Sequence, residues 1–341
     1  MTDLILLLSG LIFILIAAEG FTNGIEGLGR RLSLSQAVVG SILAAVGTAL
    51  PETILPIVAI LFYGGSTADK IGVGAILGAP FMLSTLAFFL VGFTILISYL
   101  NKKRRFCLNI ETHSIKRDLS FFIVMYSSAI LIPSFLTVKA IRIPLGILLV
   151  AGYIFYAYKT FRSESMEIEH AEEIYLWRLL RKIKIASSSR PSLIVIIFQV
   201  AASLTIMIEG AHIFVKSLEV LSLSAGLDPL IFALLLAPVA TELPEKFNSI
   251  TWTWKGRDTL AIGNITGAMV FQSTFPVTVG LLFTDWRITS LALLSAVMAI
   301  LSALLVLTEI VIKKRISPIT VLLGGCLYMI YAAVLVAKYV L

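Results

Sequence analysis

Long apolar runs cut by short polar breaks make up almost the whole chain. The breaks read RRLSLS, GGSTADK, NKKRRFCLNIETHSIKRD, VKAIR, LSLSAGLD, WKGRD, TDWR and KKRISP, and between them lie runs such as LALLSAVMAILSALLVLTEIVI. A helix that crosses a bilayer needs ~20 predominantly apolar residues. The pattern predicts ten spans, near 4–28, 36–63, 71–100, 119–138, 141–161, 192–215, 229–253, 259–284, 287–312 and 317–340. One sizeable stretch, 162–191, lies outside them. Its EIEHAEEIYLWRLLRKIK segment fits an amphipathic helix on the bilayer surface or a solvated connector equally well.

Composition agrees with a polytopic helical membrane protein. Of the 341 residues 58% are hydrophobic and 14% charged, and mean hydropathy is +0.99. A soluble chain would carry about a quarter charged residues. The first run is a poor signal peptide, because Asp3 stands where a basic segment belongs and no small-residue cleavage site follows. Cys107 and Cys326 are far apart and imply neither a disulfide framework nor a metal cluster. The net charge of +7 reflects basic loops rather than nucleic-acid binding.

Those loops set the expected orientation. Twenty of the 27 Lys and Arg follow odd-numbered spans, six lie on the other side, and Lys246 falls inside a span. Basic residues concentrate in cytoplasmic loops. Both termini are therefore expected outside, with the chain in the cell membrane. Most of the bias comes from the two long loops, near 101–118 and 162–191.

The chain also repeats itself. AVGTALPETILP at 45–56 matches PVATELPEKFNS at 238–249, pairing Thr48 with Thr241, Pro51 with Pro244 and Glu52 with Glu245. IGVGAILGAPF at 71–81 matches LAIGNITGAMV at 260–270, pairing Gly74 with Gly263 and Gly78 with Gly267. Upstream, AAEGF at 17–21 resembles MIEGA at 207–211, pairing Glu19 with Glu209. The expected organisation is a five-span repeat over 1–161, a cytoplasmic connector over 162–191, and a second repeat over 192–341. Five is odd, so the second repeat enters from the opposite face. The fold class is then all-α, ten transmembrane helices in two inverted repeats, with broken helices at the midplane.

The matched block carries the chemistry. A proline within a helix lacks the N–H that would bond four residues back. Pro51 thus frees the carbonyl of Gly47, and Pro244 that of Ala240. In lipid a freed carbonyl needs a partner, and a cation can supply one. Thr48 and Glu52 share a helix face, as do Thr241 and Glu245, with Glu242 close by. Together the two blocks offer three carboxylates, two hydroxyls and two carbonyls, enough for the six to eight oxygens of a Ca²⁺ ion. A mid-bilayer charge costs about 2.5–3.5 kcal/mol on insertion scales and usually marks an ion path. The competing reading is that the acids are neutral or paired with Lys246, although Lys246 and Glu245, as helix neighbours, should point apart.

Other features carry less. The two GxxxG pairs let helices approach closely, which packing alone explains. Asn264-Ile265-Thr266 fits a glycosylation pattern but falls within a span. Glu19, Glu209 and His212 are expected toward helix ends, in solvated settings. No HExxH or GxSxG motif suggests an enzyme. No resident cofactor is expected, only transported cations, and no partner beyond lipid. A monomer is expected.

GTALPE and ATELPE, each followed by a GxxxG helix, resemble the two alpha repeats of the calcium/cation antiporter superfamily, which includes the sodium/calcium exchangers. The resemblance covers nearly the whole chain. It implies Glu52 and Glu245 as the central Ca²⁺ carboxylates and Thr48, Thr241 and nearby carbonyls as further ligands. It also implies alternating access, with the first and sixth helices sliding across a fixed core. Several positions depart from the family. Ala49 and Glu242 stand where Ser is usual, Ala79 and Ala268 replace further Ser, and Leu83 and Gln272 occupy Asn/Asp positions. Asn264 is kept, but its partner is Ala75. Several of the lost side chains serve sodium in the family. The expected function is therefore a divergent antiporter of a divalent cation, Ca²⁺ first, in exchange for Na⁺ or H⁺, with proton coupling favoured. An H⁺-coupled exchanger of Mg²⁺, Mn²⁺ or Na⁺, and a degenerate cation-binding membrane protein, are the alternatives.

Overall fold

The computed structural model describes residues 2–32, 44–135, 139–163, 173–183 and 191–340. Among these residues every regular element is helical. The first half runs α1 (Thr2–Arg31), α2 (Ala44–Ile57), α3 (Ser66–Met82), α4 (Phe88–Leu100), α5 (Thr112–Phe135) and α6 (Arg142–Ser163). A short helix, α7 (Tyr175–Lys182), lies in the connector. The second half runs α8 (Leu193–Ser224), α9 (Pro229–Thr241), α10 (Leu243–Trp254), α11 (Asp258–Gln272), α12 (Phe275–Phe283), α13 (Ser290–Lys313) and α14 (Pro318–Val340).

Among the described residues seven helical segments are long and apolar enough to cross a membrane, and two shorter apolar helices lie at Leu50–Tyr63 and Pro229–Val239. With α5 these make ten passes, five in each half. The chain is an integral membrane protein of the all-α inverted-repeat class.

The passes break where backbone-perturbing residues fall. In the second half the seventh pass breaks at Glu242, between α9 and α10. Pro244 then sits in the first turn of α10, where an N–H would be unpaired anyway. The matching Pro51 leaves α2 unbroken. The first half loosens instead after Pro56, in a π-helical stretch over Val58–Tyr63. The third and eighth passes differ in the same way. Leu83–Ala87 is a π-helical turn that keeps α3 and α4 continuous, whereas α11 and α12 separate at Ser273 and Thr274. Aligned on the GxxxG pairs, Ser84-Thr85 matches Ser273-Thr274. Both pairs turn back onto the preceding carbonyls, Ser84 Oγ donating to Pro80 O at 2.8 Å and Ser273 Oγ to Val270 O at 2.8 Å.

Close packing fixes which helices surround the centre. α1 and α8 lie against each other along their length. They meet at Gly10 and Gly210, where an added methyl on either would come within 2.8–2.9 Å of the other's carbonyl. α3 packs on α9, and a side chain at Gly78 would run into the Leu234 carbonyl. Gly263 and Gly267 meet no such wall among the described residues, and the segment the repeat would bring there, 36–43, lies outside them. α8 continues to Ser224, well beyond the expected end at 215. Glu209 and His212 are consequently mid-helix rather than terminal, and His212 sits against Phe62 and Tyr63 with ring centroids 6.0 and 6.1 Å away.

Buried polar ties hold the frame. Arg104 grips Asp258 with two hydrogen bonds, 2.9 and 2.6 Å, and also donates to the Thr253 and Cys107 carbonyls. These contacts fasten the loop after α4 to the start of α11. Asp258 in turn holds the Arg104 proton more firmly than usual, through hydrogen bonding and charge. Farther along α11, Thr266 donates to Asp118 of α5 at 2.8 Å, and Tyr156 of α6 donates to the same carboxylate at 3.0 Å.

Within the connector, α7 docks onto α1 and α8. Buried Asn23 accepts from the Tyr175 amide at 3.0 Å and from Gln199 Nε2 at 2.9 Å, while Gln199 Oε1 accepts from the Leu176 amide at 2.8 Å. Tyr175 donates its hydroxyl to Glu19 at 2.7 Å. Glu19 is therefore a docking residue, a role its place in the repeat did not suggest. Ile174 and Trp177 bury the apolar side of the helix.

Candidate cation site

The two proline-bearing blocks converge at the centre. α2 and α9 pack together, and both pack on α3. Between them is a cavity of ≈ 10 Å³ lined by Glu52, Leu55, Pro56, Ala75, Ala79, Ala237, Pro238 and Thr241. That is about the space of one water-sized particle. Glu52 comes from the first half and Thr241 from the second, so the wall joins the two repeats.

Glu52 is 6% exposed, and its Oε2 has no hydrogen-bond partner among the described residues. Thr241 is buried and donates to the Ala237 carbonyl at 3.2 Å, which leaves hydroxyl lone pairs free to accept. Glu245 lies in the first turn of α10, and Glu242 is fully buried at the helix break just before it. Glu245 Oε2 and both carboxylate oxygens of Glu242 are likewise buried without a hydrogen-bond partner among the described residues. A buried carboxylate oxygen left unpartnered is costly, which makes these atoms natural cation ligands.

Lys246 enters the same cluster. Its side chain is 6% exposed, and Nζ lies 3.2 Å from Glu242 Oε2. The i,i+4 spacing brings them together, so Lys246 pairs with Glu242 while its neighbour Glu245 points elsewhere. The pairing that the sequence reading treated as a competing explanation is real for one carboxylate of the three.

The remaining sequence-predicted residues divide. Asn264 on α11 donates to the Glu245 carbonyl and to Ser249 Oγ, each at 3.3 Å, and so braces α10 from behind the carboxylates. Gln272 is buried at the end of α11, outside the cavity wall. The backbones of Gly47 and Thr48 belong to α2, but the Thr48 side chain lies outside the described residues, as does that of Ala240 at the end of α9. Among the described residues no three His, Cys, Asp or Glu side chains form a ready-made metal cage. A cation there would draw on carboxylates, a hydroxyl, main-chain carbonyls and water together, as hard cations do.

Apolar residues line the third side. Ala75 and Ala79 face the cavity at positions where the resemblance led to polar ones. The residues that sequence reasoning overlooked are the frame around the site. The Ser84-Thr85 and Ser273-Thr274 match was visible in the alignment once it was extended by four positions, whereas nothing in the sequence linked Asp118 to Thr266.

Inverted helix pairs that meet around a buried acid are the arrangement of secondary cation transporters. The chain belongs to the sodium/calcium exchanger protein family, whose model matches residues 2–162 and 195–340. An uncharacterized membrane protein of Methanocaldococcus jannaschii is 23% identical over 300 residues, covering 88% of this chain and 87% of that one. CaxA of Alkalimonas amylolytica is 22% identical over 275 residues, covering 79% and 76%. Among solved structures, the H⁺/Ca²⁺ exchanger CAX superposes with TM-score 0.66 at 15% identity, covering 98% of this chain and 82% of that one. The sodium–calcium exchanger NCX_Mj superposes with TM-score 0.56 at 20% identity, covering 97% of each.

Proposed function

We propose that this protein is a secondary antiporter that carries a divalent cation, Ca²⁺ first, against H⁺. The observation that carries the reading is the buried Glu52 carboxylate, whose Oε2 has no hydrogen-bond partner among the described residues, walling one cavity with Thr241 of the opposite repeat. The cation would bind to Glu52 and Glu245, with Thr48, Thr241 and the Gly47 and Ala240 carbonyls completing its shell. Alternating access would come from the α1–α8 pair moving over the site, each state opening it to one side. Proton coupling is favoured over sodium because Ala75 and Ala79 supply no oxygen to hold a Na⁺ ion, whereas carboxylates exchange a divalent ion for protons directly. The chain would act as a monomer in the cell membrane with both termini outside.

The test is flux in proteoliposomes. Radioactive Ca²⁺ uptake should follow an imposed pH gradient, and Glu245→Gln should abolish it. Uptake driven equally by a Na⁺ gradient at clamped pH, with no response to the pH gradient, would overturn proton coupling.

A further inference from the structure

We propose that Lys246 is a resident cation: its ammonium holds the place Glu242 would otherwise offer a mobile monovalent ion, so the protein takes one such ion fewer. The proposal rests on the cation-site reading above and extends it.

Lys246 Nζ donates to the Pro238 carbonyl at 3.2 Å and to Met82 Sδ at 3.1 Å, and it lies 3.2 Å from Glu242 Oε2 as an ion pair. A carboxylate and a carbonyl beside a helix break are what a small monovalent cation would also use. Met82 is the exception, a soft acceptor that suits an N–H better than a hard metal ion. Lys246 and Glu242 are 6% and 0% exposed, so neither charge is supported by water.

The pair has no counterpart in the first repeat. In the first half Ala49 matches Glu242 and Thr53 matches Lys246. The second half therefore carries an acid and a base together, four residues apart on one helical turn. Their charges cancel, leaving Glu52 and Glu245 to offer two negative charges, the complement of one divalent ion. An ordinary structural ion pair would explain the contact, but not why a monovalent ion should be indifferent to it. That difference is measurable.

The experiment uses the purified full-length protein in detergent, with Ca²⁺ and Na⁺ titrated separately and together and binding read by calorimetry. The variants are Lys246→Met, Lys246→Arg and the double variant Glu242→Gln/Lys246→Met. In the wild type, Na⁺ should leave Ca²⁺ binding unchanged. Lys246→Met should bind Na⁺ at least about tenfold more tightly, a change of one decade in Kd. Lys246→Arg should restore indifference to Na⁺, and so should the double variant, which removes anion and cation together. Identical Na⁺ titrations for the wild type and Lys246→Met, with Ca²⁺ binding retained, would overturn the proposal alone. A wild type that binds no divalent ion would overturn the transport reading as well. Should Lys246→Met fail to fold, Lys246→Gln replaces it, since the amide can still donate to the Pro238 carbonyl, and the same outcomes decide.

Discussion

The Glu52 carboxylate and the Thr241 hydroxyl, carried by helices from opposite halves of the chain, wall the same cavity of ≈ 10 Å³. An acid alone in that space is a burden to the fold, and an acid shared with a passing cation is a reason to keep it. Glu52→Gln should therefore lower Ca²⁺ flux by at least about tenfold, as expected when a charged intramembrane ligand is lost. Thermal stability without Ca²⁺ should hold or rise, because the amide removes a buried charge. Flux and melting temperature measured on one preparation check both halves of the prediction.

Ala79 lines the same cavity. A hydroxyl there would restore one oxygen to its apolar side. Ala79→Ser should make Ca²⁺ uptake sensitive to external Na⁺, with the wild type expected to be indifferent. Uptake across a Na⁺ series gives the answer.

Gly78 faces the Leu234 carbonyl of α9 with no room for a side chain. Gly78→Ala should force α3 and α9 apart and cost roughly 1–3 kcal/mol, the range for overpacking a tight contact. The thermal midpoint should fall and flux with it, because the moved helices carry the cavity wall.

The Arg104–Asp258 pair is bidentate, and its carboxylate is fully buried. Breaking such a pair from one side costs about 3–5 kcal/mol. Asp258→Ala should destabilise the protein strongly, whereas Arg104→Lys should cost less by keeping one bond. Unfolding midpoints in a common detergent compare the two.

Much of this architecture was legible as sequence. Ten passes followed from apolar run lengths, because lipid leaves the backbone little choice but helix. The candidate site was read from the repeat, which made Glu52 and Glu245 stand out as a pair, and of the two it is Glu52 that lines the cavity. What was not legible came from relationships between distant helices. Asn23 and Gln199 look like stray polar residues in two separate spans until α7 docks across them. Thr266 reads as part of a discarded glycosylation pattern, and its role as a tie to Asp118 appears only when α5 and α11 are side by side. The unbroken α2 was a different failure. Proline alone suggested a break in both repeats, but only the second half breaks, at Glu242, while α2 runs on through Pro51. Lys246 was misjudged for a related reason. Its sequence neighbour Glu245 drew the attention, and the helical partner four residues back was Glu242.

Asn23 and Gln199 also yield a prediction. Gln199→Ala removes bonds to the Gly20 carbonyl, to Asn23 and to the Leu176 amide. Amide exchange over 175–182 should speed up while exchange in α3 and α9 stays unchanged. Mass spectrometry of the deuterated protein resolves the two regions.

The central claim is that helices from opposite repeats bring Glu52 and Glu245 to one cation. Anomalous diffraction from crystals soaked in Sr²⁺ or Mn²⁺ addresses it directly. The account predicts a single peak within about 3 Å of carboxylate oxygens from both residues, close to the coordination distances of divalent ions. A peak held by only one of them, or located elsewhere while both carboxylates remain unliganded, would contradict it.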